Sequence, residues 1–184
     1  AVIYNQDFGG IAGDKGAFSK STIRTIGERA IMNDDVVLRG VLEAGLLHHT
    51  GGSSRVTDRF FLPATVLRGF EFAGMGPRQR DGTINDALGG NKYTVAKFEV
   101  DFPLGLPEEY GMSGGAFYHA GNLWDTGAKG DELLYDNGAW RHVVGATLYW
   151  TTPIGPLRFD FTRALKKETQ DEERTFDMSI ATRF

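Results

Sequence analysis

A lone arginine stands between Leu67 and Gly69 in the stretch VLRGFEFAGMGPRQRDGTINDALGGN, residues 66–91. A guanidinium carries five donors and never gives up its charge. If Arg68 is buried it needs paired acceptors, because an uncompensated charge inside a protein costs several kcal/mol. Other groups invite catalytic or metal chemistry and fall short of it. His48-His49 beside Thr50-Gly51-Gly52 offers two imidazoles, but no second histidine–carboxylate group recurs at metal-ligand spacing, so no metal is expected. Asp160, His142 and Ser179 are hydrolase residue types, yet no nucleophile–base–orienter pattern joins them. GGIAGDKG (9–16) is glycine-rich but lacks a lysine at phosphate-loop spacing, and KKE and DEERT suit a solvated loop. The expectation is no catalytic residue, no cofactor and no enzyme.

These side chains must be positioned by strands. The chain of 184 residues has 25 glycines and 12% aromatic residues, and its net charge of −4 argues against nucleic acid as a partner. Cysteine is absent, which removes disulfides and thiolate metal sites. Mean hydropathy is −0.28 and no apolar run approaches the ~18 residues of a membrane helix, which leaves a membrane barrel open because barrel strands alternate. One domain over 1–184 is expected. Opening on Ala1-Val2-Ile3, it is expected to be a processed chain or a piece of a longer one.

Period two recurs along the chain. In YTVAKFEVDF (93–102), Ala96, Phe98, Val100 and Phe102 alternate with Val95, Lys97, Glu99 and Asp101. In VVGATLYWT (143–151), Val144, Ala146, Leu148 and Trp150 share a face, as do Phe176, Met178, Ile180 and Phe184 near the end. About eight strands are expected, near 1–8, 17–31, 35–47, 92–102, 110–121, 140–152, 156–165 and 175–184, each close to the ~10 residues that cross a bilayer at a tilt. The connections alternate between short turns (32–35, 103–111, 153–156) and long loops, of which 48–91 is the longest. That alternation marks an outer-membrane barrel with short turns on the periplasmic side. The competing reading is a soluble barrel or sandwich. Against it stand the charged polar faces (Lys97, Glu99, Asp101, Arg158, Asp160) and the aromatics Trp150, Phe102 and Tyr110 near short-turn ends, where an interfacial girdle would lie.

The ordered set VLRGF, GMGPR, DALGGN, FEVDFPLGLPEEYG, GAFYHAGNLWD, TPIGPLRFDFTRALKKE and TFDMSIATRF resembles the BamA family, central subunits of the bacterial outer-membrane assembly machine. The resemblance runs from about residue 35 onward. TamA-type factors and two-partner secretion transporters share the arginine–glycine–aromatic loop, but GPR…DALGG and FPLGLPEEYG suit the BamA branch better. It implies an all-β, antiparallel transmembrane barrel, of which these strands resemble the C-terminal half of a sixteen-strand wall, with loop 48–91 folded into the lumen.

The same resemblance assigns a loop-anchoring motif to Arg68, Gly69 and Phe70, with Phe72 also packing on the wall. Arg68 would pair with Glu99 on the polar face. The family's second acceptor is an aspartate in a phenylalanine-x-aspartate-x-glycine pattern. The corresponding residues here are Phe117-Tyr118-His119-Ala120-Gly121, so His119 replaces the acid. Either Glu99 suffices and His119 is a tolerated variant, or the imidazole senses pH. Gly69 would permit positive φ or close approach.

By resemblance the function is insertion and folding of β-barrel proteins into the outer membrane. The implied partners are the lipid bilayer, nascent β-barrel proteins and accessory assembly lipoproteins. A passive pore or a two-partner secretion barrel is the alternative. Phe176, Met178, Ile180 and Phe184 resemble the C-terminal signal of outer-membrane barrels, on the strand beside the seam. Strand parity further assigns Ala96, Phe98, Val144, Leu148, Phe159, Phe161, Met178 and Ile180 to lipid, and predicts that arginine at Thr147 is tolerated far better than at Leu148.

Overall fold

The computed structural model describes residues 1–10, 16–32, 35–51, 54–81, 84–127, 133–153 and 155–180. Eleven strands are found among them: β1 (Val2–Gly9), β2 (Phe18–Ile31), β3 (Val36–His49), β4 (Arg78–Asp81), β5 (Ile84–Ala87), β6 (Lys92–Pro103), β7 (Met112–Trp124), β8 (Leu133–Leu134), β9 (Arg141–Thr152), β10 (Gly155–Lys166) and β11 (Phe176–Ile180). Eight form one antiparallel sheet in the order β1-β2-β3-β6-β7-β9-β10-β11, a meander in which each strand pairs with its neighbour in the series. These are the eight strands expected from alternation, with ends shifted by a few residues. Residues 181–184, including Phe184, lie outside the described residues.

A second, three-stranded sheet joins β5, β4 and β8, pairing Arg78↔Ala87 and Arg78↔Leu134. It was not expected. Its strands are too short to show a period, and RQRD carries no apolar face.

Among the described residues the eight-stranded sheet is open, with β1 and β11 at its edges. The connection between β3 and β6 lies back across one face of the wall, and the apolar core forms there. Phe60, Leu62, Leu67, Phe70 and Met75 from the connection bury against Leu47, Tyr93, Val95, Phe117, Leu123 and Val143 from the strands. The inner face is therefore apolar where the loop covers it and charged nearer the short turns, rather than uniformly wet. The opposite face exposes Leu42, Phe98, Phe161, Met178 and Ile180, as a lipid-facing surface requires.

Two expectations need correction. Phe72 is 70% exposed, whereas Phe70 is 1% exposed. The chain turns immediately after Phe70, with Gly74 N–H donating to the Glu71 carbonyl at 2.9 Å and Ala73 at φ 58°, so the two rings leave in different directions. Phe72 stacks on Phe61 instead, at a centroid distance of 6.0 Å. Thr147 faces inward as parity predicts, but it is buried beneath the loop and bonded to Asp160. An arginine there would meet Arg68 and Arg158, so the expected tolerance fails.

Candidate functional site: a guanidinium held between two carboxylates

The connection 50–91 is held in shape largely by its own arginines. Arg59, buried, donates from Nε to Ser54 Oγ (2.8 Å), from Nη2 to the Ser54 carbonyl (2.7 Å) and from Nη1 to the Leu88 carbonyl (3.2 Å). Phe60 and Gly90 exchange backbone hydrogen bonds at 2.9 and 3.0 Å, closing the base of the loop. Arg78 donates to the carbonyls of Asn85 (3.2 Å) and Ala73 (3.0 Å). A buried carbonyl without a donor is costly, and one guanidinium satisfies several at once.

That scaffold delivers Arg68 to the wall. Its Nη2 meets Glu99 Oε1 at 2.6 Å, and its Nη1 lies 3.4 Å from Asp160 Oδ1 and 3.4 Å from Thr147 Oγ1. The guanidinium carbon sits 4.3 Å from the centroid of the Phe117 ring, adding a cation–π contact. Burial pulls the guanidinium below its ordinary pKa; Glu99 opposes that, Arg158 adds to it, and Asp160 and Tyr149 oppose it. The group remains a cation. Glycines let the motif approach. Gly69 adopts φ 92°, and a Cβ there would lie 2.6 Å from Val143 Cγ1. At Gly121 a Cβ would lie 3.0 Å from Leu67 Cδ2, so the missing side chain makes room for the residue preceding the arginine.

The two carboxylates are themselves braced. Glu99 Oε1 also receives His119 Nε2 at 3.0 Å, and its Oε2 lies 3.6 Å from Arg39 Nη1. Asp160 accepts from Thr147 Oγ1 at 2.6 Å and pairs with Arg158 at 2.9 Å. The structure thus brings together Arg68, Glu99, Phe70 and Gly69 of the sequence-derived motif and puts His119 one contact away. Because a carboxylate only accepts, the His119 nitrogen facing Glu99 is a donor. The second acceptor for Arg68 is Asp160, two strands beyond β7, a residue that the sequence offers only as a hydrolase residue type on a polar face. Its signal was available: Arg158 and Asp160 had been placed on the polar face, and an arginine reaches past the adjacent strand. His142 has the opposite parity and pairs with Tyr118 at 2.5 Å, so it cannot join Asp160 in a catalytic group. His49 bonds the Gly51 carbonyl at 3.1 Å and lies 3.9 Å from Asp58. Phe176, Met178 and Ile180 line the outer face of β11.

Comparison with known proteins agrees with this architecture. The Omp85 superfamily domain matches residues 2–184. The outer membrane protein assembly factor BamA of Neorickettsia risticii (strain Illinois) is 35% identical over 184 residues, covering 100% of this chain and 24% of that protein. BamA of Neisseria meningitidis serogroup B is 27% identical over 139 residues, 64% of this chain and 17% of that protein. The chain therefore spans about a quarter or less of the length of these relatives. The crystal structure of BamA from Haemophilus ducreyi lacking POTRA domains 1-3 superposes with a TM-score of 0.77 at 19% identity, over 91% of this chain and 35% of that one. A meander of long antiparallel strands, an arginine–glycine–phenylalanine loop folded onto its inner face, and a family match from end to end lead to one assignment: the chain belongs to the Omp85 superfamily.

Proposed function

We propose that the chain forms the C-terminal wall of an outer-membrane barrel that inserts and folds other β-barrel proteins. A nascent strand in lipid has bare N–H and C=O groups, each costly to leave unpaired there. An open sheet edge supplies partners for them by β-augmentation. The observation that carries the reading is β11, which among the described residues pairs on one side alone, with β10, in a sheet of this superfamily. Its free edge receives the substrate strand, and its outward Phe176, Met178 and Ile180 continue the lipid-facing surface. Phe184 adds to the assembly signal, outside the described residues. The substrates are nascent outer-membrane barrels, and accessory assembly lipoproteins act with the intact protein. Pairing drives the process, with no covalent step.

The Arg68 site has a structural task in this scheme. It anchors the loop to the wall so that the inner face keeps one arrangement while the edge exchanges partners. Reconstitution of the intact protein that carries this chain into lipid vesicles tests the function. A model barrel added unfolded becomes protease-protected if the reading holds. Ion conductance without gain of folded substrate would identify a passive pore or secretion barrel and overturn it.

A further inference from the structure

The connection between β10 and β11, residues 167–175, is tied to the Arg68 loop by backbone rather than by chance side-chain contact. Glu71 N–H donates to the Glu172 carbonyl (3.0 Å), Glu172 N–H to the Gly74 carbonyl (2.8 Å) and Arg174 N–H to the Gly69 carbonyl (3.1 Å). Phe70 and Glu173 face each other as an antiparallel bridge. Two residues of the anchoring tripeptide thus pair directly with the segment that leads into the last strand.

That segment has its own anchor. Asp171 receives a fork from Arg141, with Nε to Oδ2 at 2.9 Å and Nη2 to Oδ1 at 3.2 Å, and both side chains are essentially inaccessible, at 0% and 1%. Arg141 also donates to the Ala139 carbonyl at 2.8 Å, and Asp171 accepts from Glu168 N–H at 2.7 Å. A fully buried bidentate pair with its remaining groups satisfied specifies position more than it adds stability. On the far side, the Thr175 carbonyl accepts from Thr162 N–H at 2.8 Å, and Arg174 pairs with Asp177 at 2.7 Å, inside β11.

We infer that Arg141 and Asp171 are positioning residues for the last strand. They fix the 167–175 connection so that the Arg68 loop and the loop end of β11 dock or release as one unit. Release of the loop from the wall then frees the strand end that accepts a substrate, and arrival of a substrate strand loosens the loop in turn, since coupling is reciprocal. This rests on the reading of β11 as the receiving edge, given above.

The test uses the intact protein in lipid vesicles and amide hydrogen exchange over 69–74, 172–174 and 176–180. Asp171→Asn keeps the shape and removes the charge. It is expected to raise exchange in all three segments by about tenfold or more, the factor set by losing a charge-assisted hydrogen bond, while β6, β7 and β9 keep parent protection. Gly74→Val enters from the other loop. A Cβ at Gly74 would lie 2.8 Å from the Glu172 carbonyl oxygen and 2.8 Å from the Glu71 carbonyl oxygen, so it strains the junction together with the Arg68 loop and leaves Arg141–Asp171 intact. Faster exchange in 172–174 and 176–180 is expected from it as well. Loosening confined to the loop that carries each substitution would overturn the coupling. The same vesicles are assayed for insertion of a model barrel. A parent protein that inserts none overturns the functional reading, while the exchange pattern still decides whether the two loops move together.

Discussion

The centre of the wall and its last strand are built to different standards. β7 pairs with β6 from Lys92↔Trp124 to Pro103↔Ser113 and with β9 from Met112↔Trp150 to Gly121↔Arg141, so both its edges are filled along most of its length. Over that region lie the apolar core and the Arg68 ion pairs. Among the described residues β11 pairs only with β10, over Leu157↔Ile180 to Phe161↔Phe176, and its outward side chains are exposed. Opening free energy follows buried contacts and filled hydrogen-bond ladders. By that measure the described sheet is held most firmly where the loop is anchored and least at β11, the contrast that the proposed receiving edge calls for.

Breaking the anchor tests the rigid side most severely. Arg68→Ala removes the cation that Glu99 and Asp160 share and leaves them Arg39, His119 and Arg158, so the cost approaches but does not exceed the about 3–5 kcal/mol of a buried pair that loses one partner. The expected outcome is rapid proteolysis within 50–91 while the wall keeps its circular dichroism and its exchange protection in β6 and β7. Protection of the loop equal to the parent's would show that the core alone holds it and that the ion pairs are incidental.

Arginine on the lipid face sharpens the comparison. Leu148→Arg, in a strand paired on both sides, is expected to cost about 2–4 kcal/mol near the bilayer midplane. Met178→Arg, on the edge strand, is expected to cost less than half of that, because β11 has one described partner and can swing its side chain toward the interface. Urea unfolding midpoints in vesicles measure both. Equal costs would mean that the edge is as constrained as the centre.

Much of the fold was legible because a strand exposed to lipid on one face must alternate, and YTVAKFEVDF and VVGATLYWT do so over most of their length. The lining of the inner face was less legible. Val95, Phe117 and Val143 share faces with charged or polar residues, and nothing local announces that a loop will cover them. Arg68 and Glu99 followed from the motif and strand parity. Asp160 did not, because the motif points to the adjacent strand, where His119 stands, and not two strands further on. Arg59 and Arg141 carry no sequence signal, and Arg78, although part of GMGPR, carries none that names its partners. Their acceptors are chiefly backbone carbonyls, or a single aspartate 30 residues away, and a carbonyl is present at every position.

The smallest expected effect concerns the second acceptor of Arg68. The family pattern implies an acid at the place of His119, yet here that imidazole donates to the same Glu99 oxygen that Arg68 Nη2 contacts, while Asp160 serves Nη1. His119 therefore serves the cluster as a hydrogen-bond donor, and the second carboxylate for Arg68 comes from β10. Asp160→Asn should weaken docking by about 1–3 kcal/mol, since it removes a charged acceptor but keeps an oxygen for Thr147. His119→Asp alone should bring no gain: it replaces a donor to Glu99 with a carboxylate beside it, and Asp160 already occupies the second fork. In the Asp160→Asn background the same change restores the missing acceptor within reach of the guanidinium. A double-mutant cycle on loop protease protection should then show a favourable coupling of about 1 kcal/mol between sites two strands apart. If His119→Asp shifts protection equally in both backgrounds, the two positions are independent and Asp160 has not taken over the aspartate's place.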